Sequence, residues 1–453
     1  MFYVFNIFFA VNKFNLDSSK PKNNYINNSL WSLLEKVSRI ISGLLVGVLV
    51  ARYLGPSQFG AISYALNIVA IFTIFSTLGL DSIVVRELIL RKERTTEILG
   101  TAFWLRFIGA LLVVIISTFY SYLRDPVERV FIVFLISISI VFQSLTVIDF
   151  YFQSIVKGKL TAINQVITLF ISALVKIYFI VFNYELIWFA GMAAFEAALT
   201  MFNQFVFYKS EGQFISKWFF SFKEAKVLFK YTWPIIISSF IQMIYQKADQ
   251  ILILRFLRDI DLVGQYAAAI RMSEASYFIP VAITAAVFPG IINNRDNREL
   301  QVKRFTQLCS LLIWSAIFIS LGVQVFGDWV IQFFYKEKYP LSADVFKIHI
   351  WATIPTFYGT ALGLWFLAEN KQRVIILYQV VNIFAYTVMS FILIPRFGIY
   401  GAAYTIVITY YLGLIVTTAT YKPRESLKIM FDAFNPMNLL DIVKYWKESK
   451  IKK

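Results

Sequence analysis

The chain has 453 residues, 58% of them hydrophobic and 15% charged, with a formal net charge of +16. That apolar share exceeds the roughly 45–50% of soluble domains and runs the length of the chain, which excludes a soluble enzyme with one greasy anchor. One cysteine, Cys309, and one histidine, His349, exclude an intramolecular disulfide, a thiolate cluster and a multi-histidine metal site.

In chain order, residues 1–29 come first. Met1 to Val11 is apolar but too short to span, lacks a basic start and runs into the polar stretch Asn12 to Asn28. A cytoplasmic N-terminal segment is expected there, not a cleaved signal peptide. Apolar stretches of about 20 residues then recur, long enough to cross a hydrocarbon core of roughly 30 Å. They predict spans near 30–54, 61–83, 99–122, 129–152, 161–183, 185–208, 231–256, 263–292, 305–327, 344–368, 373–394 and 399–420. All are expected to be helices, because an isolated strand in lipid leaves backbone groups unpaired. The expected fold class is therefore an all-α integral membrane protein of about twelve transmembrane helices.

The longest internal loop, 209–230, divides the chain into an N-lobe (30–208) and a C-lobe (231–420), with a basic cytoplasmic tail over 421–453. Within that tail, Leu439 to Trp446 reads either as a surface helix or as unstructured chain. A weak internal repeat supports the division. Arg52-Tyr53-Leu54 leads to Gly60 and Ala65, and Arg255-Phe256-Leu257 leads to Gly264 and Ala269. Ala190-Gly191-Met192-Ala193-Ala194 is matched by Tyr400-Gly401-Ala402-Ala403. Such repeats are a transporter trait, with the substrate site between the halves. Most of the 43 Lys and Arg fall in loops on one side, including Arg91, Lys92 and Arg94, then Lys217, Lys223, Lys226 and Lys230, then Arg295, Arg298, Lys303 and Arg304. The positive-inside rule accounts for this charge better than nucleic-acid binding does, and it places both termini in the cytoplasm.

Charges also occur inside the spans, where each costs roughly 2.5–3.5 kcal/mol on insertion scales. The cations are Lys36, Arg39, Arg106, Lys176, Lys247 and Arg271; the acids are Glu35, Asp149, Glu196, Asp249 and Glu274. Helical spacing collects polar residues into stripes. Gln143, Thr146, Asp149 and Gln153 share a face of span four, Gln165, Thr168, Ser172 and Lys176 one of span five, and Glu196, Thr200 and Asn203 one of span six. Gln242, Tyr245 and Asp249 do so on span seven. Glu35 and Arg39, or Arg271 and Glu274, have the spacing of intrahelical ion pairs, Lys176 can snorkel, and His349 suits packing better than a proton relay. The whole set predicts a central cationic cavity. Arg39, Arg106 and Arg271 are the first candidates to hold an anionic head group, with Lys36, Lys176 and Lys247 behind them. Arginine suits phosphate oxygens, so a large amphiphile with a diphosphate head fits, as does another anion. No phosphate-binding loop or metal-ligand spacing is present. No cofactor, metal or ATP hydrolysis is expected, so transport runs downhill or on an ion gradient. Asp249 and Glu274 are the ion-coupling candidates, with internal charge pairing as the other reading.

One ordered set of motifs is more specific. Ala51-Arg52-Tyr53-Leu54-Gly55-Pro56-Ser57-Gln58-Phe59-Gly60 resembles the first-hairpin motif of polysaccharide transporters in the multidrug/oligosaccharidyl-lipid/polysaccharide superfamily. Gly79-Leu80-Asp81 with Val85-Arg86-Glu87, Asp149-Phe150-Tyr151-Phe152-Gln153, Trp233-Pro234, Lys247-Ala248-Asp249-Gln250 and Val263-Gly264-Gln265-Tyr266-Ala267-Ala268-Ala269 follow in the family's order, and Ser273-Glu274, Phe278-Ile279-Pro280 and Phe288-Pro289 complete it. The match covers about 28–420 and is similar to Wzx-type O-antigen flippases. It implies two six-helix lobes and export of undecaprenyl-diphosphate-linked oligosaccharide units across the bacterial inner membrane. It also implies membrane lipid as surroundings, a polysaccharide polymerase and a chain-length regulator as partners, and no enzymatic activity. A multidrug exporter of the related branch shares the fold but suits cationic cargo poorly matched to these spans. A membrane polymerase is disfavoured by the short longest external loop, Gly327 to Ala343.

Overall fold

The computed structural model describes residues 22–292, 297–369 and 371–438, so the expected surface helix over 439–446 and most of the N-terminal segment lie outside the described residues. The described elements are all helical. In order they are α1 (Lys22–Phe72), α2 (Ile74–Thr77), α3 (Leu80–Leu90), α4 (Thr95–Tyr122), α5 (Val127–Gln143), α6 (Val147–Ser154), α7 (Gly158–Val181), α8 (Leu186–Ser210), α9 (Phe222–Leu257), α10 (Ile260–Glu274), α11 (Phe278–Ile292), α12 (Arg298–Tyr335), α13 (Ser342–His349), α14 (Thr353–Ala368), α15 (Gln372–Thr420) and α16 (Pro423–Phe434).

Ten helical stretches among the described residues are long and apolar enough to cross a membrane. Two of them, Ser42–Leu90 and Arg373–Thr420, are too long to be one crossing, and each contains part of a long kinked helix. α1 has 51 residues and α15 has 49, about 75 Å each at roughly 1.5 Å per residue, more than twice the hydrocarbon thickness. Each is interrupted by a glycine outside helical geometry, Gly55 at φ 73°, ψ 174° and Gly398 at φ 58°, ψ −137°. Those dihedrals are open to glycine and costly for any residue with a Cβ. Counting each kinked helix twice turns ten stretches into the twelve crossings expected from hydropathy.

Two compact units emerge from the packing of the described residues, divided between Ile251 and Leu252. In the first, the segment between the sixth and seventh crossings is held down. The Trp218 indole donates to the Tyr208 hydroxyl at 3.1 Å, and the Ser221 amide donates to Thr101 Oγ1 at 3.1 Å. The start of α9 is clamped to the end of α3, where Arg91 Nη1 donates to Glu224 Oε2 at 2.8 Å and the Arg86 guanidinium lies 4.6 Å from the Tyr231 ring centre. In the second unit, Gln265 ties α10 to the turn before α13. Its amide donates to the Lys338 carbonyl at 3.2 Å and its oxygen accepts from the Leu341 amide at 3.2 Å. Phe305 stacks on Trp365 at 4.2 Å. Large apolar side chains such as Ile115, Phe119, Val325 and Phe384 point outward, as lipid contact requires.

The breaks inside crossings follow a pattern. The second crossing is interrupted at Thr73 and again at Leu78 and Gly79, both left-handed. The fourth is broken by a 3₁₀ turn at Ser144–Thr146, the eighth at Ala275–Tyr277 and the tenth at Ile350–Ala352. Crossings two and eight, and four and ten, are each six apart, so the breaks recur at equivalent places in the two halves. Interrupted segments at equivalent positions mark binding regions in repeat-built transporters, where freed backbone groups are tolerated beside a watery cavity.

α16 closes the second unit. Arg298 pairs with both Glu369 and Glu425, and Lys422 approaches Glu369 at 3.5 Å. Partial burial pushes the Glu369 carboxyl up, but the Arg298 hydrogen bond and the charges of Arg298 and Lys422 outweigh it and hold the group below its ordinary 4.5. A depressed folded-state value contributes stability above the unfolded value and loses it as pH falls through the folded one. Glu369→Gln is therefore expected to lower the melting temperature at pH 7 and to match the parent protein well below pH 4.5, as thermal unfolding at several pH values will show.

Candidate functional site

In the first unit the polar centre is Arg106, on α4 and only 4% exposed. α4 reaches the broken second crossing because residue 109 is glycine. A Cβ there would sit 2.0 Å from the Phe75 carbonyl oxygen. The Ser76 hydroxyl donates to the Arg106 carbonyl at 3.1 Å, fixing the approach. Gly109→Ala is thus expected to disturb the break and lower the yield of folded, monodisperse protein, measurable by fluorescence-detected gel filtration. The break sets Asp81 in the first turn of α3, where a helix N-terminus favours negative charge. Arg106 Nη1 lies 3.5 Å from Asp81 Oδ1, and the guanidinium faces the Phe150 ring at 5.5 Å. The second break sets Asp149 in the first turn of α6, within charge range of Arg106 and beside Thr161 and Gln204.

The stripes expected on spans five and six face each other. Lys176 Nζ meets Glu196 Oε1 at 2.5 Å, and Ser172 donates to the same carboxylate. Asn164 Nδ2 donates to the Thr200 carbonyl at 3.2 Å, and the Thr200 hydroxyl donates to Thr168 at 3.3 Å. Arg39 is paired within its own helix, 2.5 Å from Glu35, with a side chain 56% exposed. The Lys36 side chain lies outside the described residues. Lys247 is half-buried, and Asp249, 5% exposed, accepts the Gln250 amide at 2.8 Å.

In the second unit Arg271 is half-buried on the last turn of α10, immediately before the break. The buried hydroxyls of Tyr335 and Tyr339 lie within reach of its charge. Glu274, the last residue of α10, is exposed and close to Tyr277. His349, at the break of the tenth crossing, bonds through Nδ1 to the Ser273 hydroxyl at 2.9 Å. It packs two broken crossings together, in keeping with the packing reading. Each unit thus carries one arginine beside a broken crossing, Arg106 in the first and Arg271 in the second.

Residues 25–295 match the family described as polysaccharide biosynthesis protein. The chain belongs to that family. A candidate O-antigen transporter of Shigella flexneri is 25% identical over 397 residues, 83% of this chain and 93% of its own length. The solved lipid II flippase MurJ aligns with a TM-score of 0.71 at 16% identity, covering 92% of this chain and 93% of MurJ. An inward-facing multidrug resistance MATE transporter of the MOP superfamily aligns at 0.64 and 13% identity, over 86% of this chain and 95% of its own. These two likenesses show the fold. Family and fold together make the chain a multi-pass membrane transporter of the polysaccharide-flippase type.

Within this family member, the sequence named Arg106 and Asp149 but not the atoms around them. Asp81 stood out only as part of Gly79-Leu80-Asp81, and nothing marked Thr161 or Gln204. A helical wheel assigns each residue a face of its own helix; it does not say which other helix meets that face.

Proposed function

We propose that this transporter flips undecaprenyl-diphosphate-linked oligosaccharide units, O-antigen or a related surface polysaccharide, from the cytoplasmic to the outer leaflet of the bacterial inner membrane by alternating access. The observation that carries the reading is the pair of arginines, Arg106 and Arg271, each set beside a broken crossing in its own unit. Guanidinium groups next to unwound backbone suit the oxygens of a diphosphate, and half-helix ends at such breaks are where transporters of this build hold charged cargo. Arg39, Arg106 and Arg271 hold the head group, with Lys36, Lys176 and Lys247 as flanking cations. The delivered unit passes to a polysaccharide polymerase whose product a chain-length regulator sets. Cargo moves without covalent chemistry. Complementation of a flippase-null strain with several repeat-unit structures tests the reading; failure with all of them, at normal membrane expression, refutes it.

Both termini lie in the cytoplasm. A cysteine introduced at Lys223 is expected to react with a membrane-impermeant maleimide only in inverted vesicles, and labelling in intact spheroplasts reverses the topology. Outward movement of an anion from a negative cytoplasm is favoured by about 2.3 kcal/mol per charge per 100 mV. The return of the empty, cationic carrier opposes the same field. An acid that takes up a proton or sodium ion resolves this, with Asp249 and Glu274 as candidates. Flipping in liposomes that is unchanged by Asp249→Asn, by Glu274→Gln and by collapse of all gradients removes that role.

A further inference from the structure

Six polar atoms around Arg106 and Asp149 make no bond of full hydrogen-bond geometry and have almost no accessible surface: Asp81 Oδ2, Arg106 Nε, Asp149 Oδ1, Thr161 Oγ1 and both amide atoms of Gln204. Gln204 is the sharpest case. It is 1% exposed, its oxygen and nitrogen make no bond of full hydrogen-bond geometry, and its side chain, like that of Thr161, lies close enough to the Asp149 carboxylate to interact with it. Buried polar groups are almost always satisfied by protein, water or an ion, so this group of atoms is built to hold something.

The charges say what. Asp149 faces Arg106 and Glu35 among its charged neighbours. Glu35 is already paired with Arg39 at 2.5 Å, and Arg106 is shared with Asp81. Two carboxylates therefore draw on one guanidinium, leaving one negative charge uncompensated among the described residues. An uncompensated charge at such depth demands a counter-ion. Asp149 on α6, Thr161 on α7 and Gln204 on α8 together offer one carboxylate, one hydroxyl and one amide oxygen. All are hard donors, but with a single formal charge they fall short of what a divalent ion draws from a protein site.

We propose that Asp149, Thr161 and Gln204 form a binding site for one monovalent cation, a sodium ion or a proton held with water, inside the first unit. The site is separate from Asp249 and Glu274. Its use for coupling rests on the flippase reading; the binding of the ion does not, and substrate-free protein tests it.

Purified full-length protein in detergent is heated in sodium chloride or in choline chloride at equal ionic strength. Sodium is expected to raise the melting temperature by a few degrees, saturably, with the shift lost in Asp149→Asn, weakened in Thr161→Val and Gln204→Leu, and retained in the exposed control Asp432→Asn. If the occupant is a proton, the sodium and choline curves coincide. Potentiometric titration then shows Asp149→Asn binding about one proton fewer than the parent across some part of the range from pH 4 to 8. A sodium shift that survives Asp149→Asn overturns the proposal, as does the absence of both the sodium shift and the proton difference. Either result leaves the complementation test of the flippase reading untouched.

Discussion

Arg271→Ala is expected to abolish surface polysaccharide while the protein still inserts and accumulates. Arg271 is half-buried at the C-terminal end of α10, so an alanine leaves no large void. Its charge is near tyrosine hydroxyls, which remain neutral polar groups when the cation is gone. What disappears is a guanidinium beside a broken crossing, the group suited to a diphosphate. Truncating one partner of a hydrogen-bonded charge pair in a desolvated site costs about 2–5 kcal/mol, a factor of at least about 30 in head-group affinity. Lipopolysaccharide ladders on gels, read beside membrane immunoblots, measure both halves of the prediction. Arg271→Lys separates charge from geometry: it keeps the cation but cannot engage two oxygens at once, and partial ladders are expected. Wild-type ladders from Arg271→Ala at normal expression remove Arg271 from the site.

How far these residues were legible in the sequence depends on the kind of information each needed. The crossings were legible because the bilayer imposes its thickness on any chain that spans it. Even the two helices that each carry two crossings, α1 and α15, were divided, since the expected gaps at 55–60 and 395–398 contain Gly55 and Gly398, where hydropathy dips. The breaks inside crossings were not. Ser144-Leu145-Thr146 and Ile350-Trp351-Ala352 contain neither glycine nor proline, and a 3₁₀ turn in an apolar run is set by tertiary packing, such as the His349–Ser273 bond. The intramembrane cations were legible as a set, because charge in a span always needs an account. Their partners were not. Lys176 falls on the polar stripe of span five with outward snorkelling as its other reading, and the sequence does not say that it meets Glu196 across a helix pair. That pairing depends on the heights at which α7 and α8 pack, which no single-helix pattern contains.

Arg106→Ala is expected to behave unlike Arg271→Ala: the protein should disappear from the membrane. Arg106 is buried, 3.5 Å from Asp81 and within charge range of Asp149. Deleting it strands two carboxylates beside a cavity the size of the missing side chain. Removing one member of a buried pair costs about 3–5 kcal/mol, a large fraction of the roughly 5–15 kcal/mol that holds a typical domain together. The defect therefore reads out as proteolysis and low membrane abundance before any transport defect can be scored. The test of cause is the second site. If the damage is uncompensated charge, Arg106→Ala combined with Asp81→Asn should recover much of the abundance, and the triple variant adding Asp149→Asn should recover more, because each change removes one stranded carboxylate. If the damage is poorer packing against Phe150, neither addition helps, whereas Arg106→Met restores abundance by itself. Rescue of abundance in the triple variant without rescue of surface polysaccharide would then assign the Arg106, Asp81 and Asp149 cluster to transport as well as to folding, since that variant inserts stably yet lacks both the guanidinium and the Asp149 carboxylate proposed to hold the cation.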